Sequence, residues 1–130
     1  MARAYTVATA ALALGVSTKW LDNTLSHLEV QGVHQTRQGV PRKLSVQSLT
    51  ILAIAVALIH ALDTSVRTAI ELATQLAGSR GTITTDGGVT ITIDIQHTTT
   101  ALLDRLEHAV EIAPLPRRGR PPQKATGRLN

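Results

Sequence analysis

The chain has no cysteine, no phenylalanine, and only one tryptophan and one tyrosine in 130 residues. Without cysteine there can be no disulfide, no thiolate metal site and no cysteine nucleophile, and the redox compartment stays open. With aromatics nearly absent and 43% hydrophobic residues, any core must be built from Leu, Ile, Val and Ala, a composition suited to closely packed helices. Long apolar runs are also missing. The longest, Ile51–Ile59, is about half of what a bilayer requires, so it reads as a buried helix and no membrane partner is expected. The N-terminal stretch carries Arg3 and is rich in Ala and Leu, but Thr6, Thr9 and Gly15 interrupt it. It reads as a first helix rather than a signal peptide. The length allows one domain, or one small domain and an appendage.

Recognisable catalytic chemistry is lacking as well. His27, His34, His60, His97 and His108 are scattered, and no two of them stand three or four residues apart. His108 follows Asp104 by one helical turn, which is more often a helix-surface contact than a zinc site. No P-loop or G-x-G-x-x-G is present, and the carboxylates do not cluster. The expectation is a non-enzyme with no catalytic residues, no metal and no cofactor.

Charge is what the chain distributes unevenly. It carries 13 Lys and Arg against 9 Asp and Glu, a net +4. Residues 1–113 sum to −1, while residues 114–130 hold Arg117, Arg118, Arg120, Lys124 and Arg128 with no acid and sum to +5. A near-neutral body with a disordered basic arm is the expectation, and such an arm binds phosphate in a salt-dependent way. Within it lies Leu115-Pro-Arg-Arg-Gly-Arg-Pro-Pro122. Gly119 lets the backbone approach a groove floor, and Arg118 and Arg120 can spread along a narrow A·T minor groove. The prolines keep the segment extended. These eight residues resemble the AT-hook, which implies minor-groove binding through Arg117, Arg118, Gly119 and Arg120.

The preceding body reads as mainly α with a small β component. Thr6 can cap a helix from Val7 to about Leu14, Gly15 supplies a turn, and Ser17 can cap a second helix to about Leu28. Val33 to Lys43 is polar, turns at Gln38-Gly39, and can form a two-stranded wing. Ser45 caps a third helix, Val46 to about Leu62, which is apolar enough to be central. Asp63 or Thr64 caps a fourth, ending near Ala77 with Gly78 as its C-cap. Thr82–Ile95 alternates apolar and polar residues around Asp86-Gly87-Gly88, a hairpin signal that places Val89, Ile91, Ile93 and Ile95 on one face. A last helix runs from about Thr98 to Ile112, and Pro114 stops it. Three segments follow: 1–78, 79–113 and 114–130.

Tyr5-Thr-Val-Ala-Thr-Ala-Ala-Leu-Ala-Leu-Gly-Val-Ser17, Gly39-Val-Pro-Arg-Lys-Leu-Ser-Val46 and His60-Ala-Leu-Asp-Thr-Ser-Val-Arg-Thr-Ala-Ile70 together resemble the MerR-type winged helix-turn-helix domain over residues 5–77. The resemblance implies a four-helix winged body whose second helix reads DNA. The chain lacks that family's basic–aromatic pair early in the recognition helix, its long terminal coiled-coil helix and its metal-sensing cysteines. These departures fit a divergent DNA-binding relative, and they weaken the case for inducer sensing and promoter distortion.

Independently of any family, a recognition helix needs short polar and basic side chains on one face. Thr18, Lys19, Asn23 and Ser26 meet this need: Asn23 can pair with adenine, and Lys19 with guanine or phosphate. Asp22 opposes phosphate unless it meets a cytosine amino group or Lys19. Trp20, beside the Leu21 face, reads as core-edge packing. Arg37, Arg42 and Lys43 are candidate phosphate clamps, though ordinary loop charge has the same appearance. The hairpin's apolar face needs a cover, and 79–113 is the candidate dimerisation module. The expected partners are double-stranded DNA and a second copy of the chain. The expected role is transcriptional regulation or nucleoid organisation in the cytoplasm. The alternative is a protein-interaction module, such as an antitoxin or phage-type adaptor, with a nonspecific basic tail.

Overall fold

The computed structural model describes residues 3–34 and 41–112. Among them, helices dominate: α1 (Val7–Leu14), α2 (Thr18–His27), α3 (Val46–Leu62), α4 (Val66–Gly78) and α5 (Ile95–Ile112). Five short strands accompany them: β1 (Ala4–Tyr5), β2 (Val33–His34), β3 (Lys43–Ser45), β4 (Thr82–Thr84) and β5 (Thr90–Thr92). No helix among the described residues is long and apolar enough to cross a membrane.

Helix starts follow local capping chemistry. Thr6, Ser17 and Ser45 each accept a hydrogen bond from the backbone N–H three residues on, at 3.3, 2.9 and 3.2 Å. This satisfies one of the donors that a helix N-terminus leaves without a partner. Gly15 ends α1 in the left-handed region at φ 72°, its N–H turning back to the last carbonyls of the helix. That conformation suits glycine and sets the tight turn into α2.

The strands form two antiparallel sheets. The first has the order β1-β3-β2, with Leu44 facing Tyr5 on one side and Val33 on the other. Leu44 is fully buried there, while Lys43 is exposed. β2 and β3 pair at the two ends of the stretch Val33 to Lys43, whose expected turn at Gln38-Gly39 lies outside the described residues. The β1 partner of β3 is too short to leave a periodic trace in the sequence. The second sheet is the β4–β5 hairpin, with Ile83 opposite Ile91 and threonine pairs on the outer face.

Three local expectations change. Ser65, not Asp63 or Thr64, caps α4. Asp63 is instead the left-handed C-cap of α3 at φ 54°. Gly78 lies inside α4, and Ser79 follows as its C-cap. The hairpin is also shorter than the alternating pattern. Asp94 Oδ1 accepts from the His97 N–H at 2.9 Å, so α5 starts at Ile95 rather than Thr98. Val89 sits in the turn and is 57% exposed, leaving Ile83, Ile91, Ile93 and Ile95 to pack against the core.

The core centres on α3, which is apolar around most of its circumference. Leu49, Ile51, Leu52 and Ile54 are each at most 1% exposed. α4 packs along α3, and α5 packs along both α1 and α3. Leu102, Leu106 and Ala109 of α5 belong to the same buried cluster as Ala10 and Leu14 of α1. Burying side chains of this size stabilises by about 1.5–3 kcal/mol each before chain entropy is counted. Residues 79–112 therefore share one continuous core with the described residues before them. Arg105 adds a polar tie, its Nε donating to the Ala13 carbonyl at 2.6 Å. That carbonyl lies at the C-terminal end of α1, where the helix leaves acceptors without partners and favours a cation.

Candidate nucleic-acid interface

α2 divides cleanly into two faces. Leu21 and Thr24 are buried, and Trp20, Leu25 and Leu28 are half-buried against the core. Thr18, Lys19, Asp22, Asn23, Ser26 and His27 are all exposed. At 3.6 residues per turn, these six positions fill about half the circumference of the helix. The exposed arc is thus wholly polar, and the α1–α2 turn fixes its direction. Trp20 stays on the packed side, beside Val16, Val56 and Ile59 at the foot of α2. His27 Nδ1 lies 2.8 Å from the Asn23 carbonyl oxygen. Since a carbonyl only accepts, the ring donates through Nδ1 and leaves Nε2 outward.

The segment that leads into β3 reaches across to this arc. Arg42 Nη1 donates to Asp22 Oδ1 at 3.2 Å, and Arg42 Nη2 donates to Ser26 Oγ at 3.2 Å. Arg42 keeps 21% of its side-chain exposure, whereas Asp22 keeps 56%. The planar guanidinium can hold two acceptors on successive turns at once, a geometry that lysine does not share. Asp22 thus takes its cation from Arg42, twenty residues on, rather than from Lys19.

Arg42 and Ser26 are accordingly engaged with each other. Thr18, Lys19 and Asn23 stand outward on α2, and Lys43 is exposed on β3. Arg37 lies outside the described residues, as do Arg117, Arg118, Gly119 and Arg120. The structural role of Arg105 carries no signal in the sequence beyond a lone cation on an amphipathic helix. The role of Arg42 had only a faint one: Asp22 is the lone acid on the exposed arc of α2.

Around α2 and β3 the charges of Lys19, Arg42 and Lys43 face those of Asp22 and Glu29. Their sum is +1, and within it Arg42 and Asp22 cancel each other. Among the described residues, no three His, Asp or Glu side chains gather as a metal site. Compared with known proteins, the chain matches no family model, no curated protein and no solved structure.

Proposed function

We propose that the chain is a DNA-binding protein, a divergent MerR-like winged helix-turn-helix with an AT-hook-like tail. α2 enters the major groove, where Asn23 reads adenine and Lys19 reaches guanine or phosphate. Thr18 and Ser26 flank them. Lys43, on β3, and Arg37, between β2 and β3 in the sequence, contact the backbone, and Arg42 acts mainly by holding α2 against β3. The Arg117-Arg118-Gly119-Arg120 segment lies in an adjacent A·T-rich minor groove. The role is transcriptional regulation or nucleoid organisation. A second copy, paired through the hairpin end of 79–113, would present two α2 helices to two half-sites.

The observation that carries this reading is the half-circumference polar arc of α2, beside β3, with its one acid neutralised by Arg42. With Asp22 paired, a duplex phosphate approaching the arc meets less repulsion.

Duplex binding followed by fluorescence anisotropy tests the reading. If the five tail cations each neutralise a phosphate, affinity falls roughly 500-fold between about 50 and 200 mM salt. Absence of duplex binding even at low salt overturns the reading in favour of a protein-interaction module.

A further inference from the structure

A broad concave surface among the described residues lies away from α2. A groove of about 1190 Å³ runs between α5 and the edge formed by β1 and the start of α3. Leu103 and Val110 line its α5 wall and are 46% and 42% exposed. Asp104, Glu107 and Glu111 stand on the same wall, spanning about 10 Å along the helix axis. Arg3 lies on the opposite wall, near the Tyr5 ring. Among the described residues none of the three acids forms an ion pair, since the one bridge present joins Arg42 to Asp22.

We propose that this groove is the docking site for the chain's own basic tail, residues 114–130, when no DNA is bound. Three considerations select this occupant. The first is charge: the groove's ionised side chains sum to −2 and the tail to +5. A second copy seated groove to groove would bring −2 against −2, which opposes a symmetric pairing here. The second is reach. Arg117 is six residues beyond Glu111, a span of up to about 20 Å, so a tail that doubles back after Pro114 brings Arg117, Arg118 and Arg120 alongside Glu107 and Asp104. The third is chemistry. Leu115 can cover Val110, and a proline-rich extended strand lies in a groove without giving up internal hydrogen bonds.

The consequence rests on the DNA reading. The guanidinium groups that would enter the minor groove are the ones the acidic wall holds, so groove and duplex compete for them. Because the tail is tethered, its effective concentration at the groove is high, and weak duplex sites lose that competition first.

The test uses the full-length chain. Having no native cysteine, it takes one nitroxide through Ala125→Cys. Docking predicts paramagnetic broadening of the amides of Arg3–Tyr5 and Leu103–Glu107 without DNA. It should exceed that in an otherwise identical Arg117→Gln, Arg118→Gln, Arg120→Gln protein by about twofold or more, and this excess should vanish at 1 M salt, where screening acts within about 3 Å. Asp104→Asn, Glu107→Gln and Glu111→Gln, all on exposed positions, should abolish it too. Equal broadening with and without the three arginines overturns the proposal. So does broadening that disappears when the isotope-labelled, spin-labelled protein is diluted into excess unlabelled protein, because the tail would then sit on another copy. Adding an A·T-rich duplex should release the tail. If the tail docks but no duplex binds, docking stands and the DNA reading falls; if duplex binds but no docking occurs, the reverse holds.

Discussion

Arg42 and Asp22, twenty residues apart, meet at 3.2 Å and join the segment entering β3 to the exposed face of α2. The same guanidinium holds Ser26 one turn further along. The contact fixes how β3 and α2 sit together and removes an acid's repulsion from the face proposed to approach DNA. In the protein alone the pair is partly solvated, so its contribution to stability is at most about 1 kcal/mol. Arg42→Ala should therefore melt close to the wild type yet bind duplex more weakly, because Asp22 is left uncompensated. Asp22→Asn should bind more tightly, with a salt slope steeper by about 0.9. Thermal melts and anisotropy on the two variants and their combination check both expectations. Tighter binding by Arg42→Ala would refute the assigned role.

The two proposed DNA contacts separate by the kind of loss they produce. Lys19→Ala with Asn23→Ala should cost about 1–3 kcal/mol at the preferred sequence and little elsewhere, because base-edge contacts carry discrimination. Arg118→Ala with Arg120→Ala should weaken A·T-rich duplexes most and lower the salt slope by about 2. Selection from random duplexes, followed by titration of each variant on selected and scrambled sites, reads both. If both double variants leave affinity unchanged, neither element touches DNA.

Gly15 isolates a backbone effect. It sits at φ 72°, and a Cβ placed there would meet nothing within 4 Å. Gly15→Ala should thus cost only the left-handed conformation, about 1–2 kcal/mol, and Gly15→Asn less. Gly32 is the contrast: at φ 86° its Cβ would collide with Ser45 Oγ and come within 3.2 Å of the Ser48 nitrogen. Gly32→Ala should therefore destabilise more than Gly15→Ala. Urea unfolding midpoints at unchanged slope measure the difference.

What was legible in the sequence was mostly local. Thr6, Ser17 and Ser45 cap the helices expected of them, because a cap needs only a hydroxyl three residues before a backbone N–H. The central, buried α3 was legible from its apolar run. Where several residues could do one task, the choice depended on neighbours. Asp63-Thr64-Ser65 offers three caps, and α3 takes Asp63 as its own terminator, leaving Ser65 for α4. Alternation through Ile95 overstated the hairpin because Asp94 caps α5 there. Contacts between distant residues left only faint signs. Nothing periodic marks β1, and the Arg42–Asp22 and Arg105–Ala13 contacts depend on how helices and strands meet.

Whether 79–113 stands apart or belongs to the body is decided by how the chain unfolds. Leu106 is 1% exposed within the cluster that also contains α1 and α3 residues, and Arg105 ties the same helix to the Ala13 carbonyl. Leu106→Ala should cost about 2–5 kcal/mol, from lost burial and the cavity left behind. Arg105→Ala should cost about 1 kcal/mol, since its hydrogen bond is only part-buried. Because the core is shared, both losses should appear in one cooperative transition, with α2 and α5 unfolding together. Trp20 fluorescence reports the α2 region and far-ultraviolet circular dichroism reports all helices. Coincident transitions by the two probes are the expected result. An early dichroism change that leaves the tryptophan signal intact would show 79–113 opening by itself, and would make α5 a separable module rather than a wall of the core.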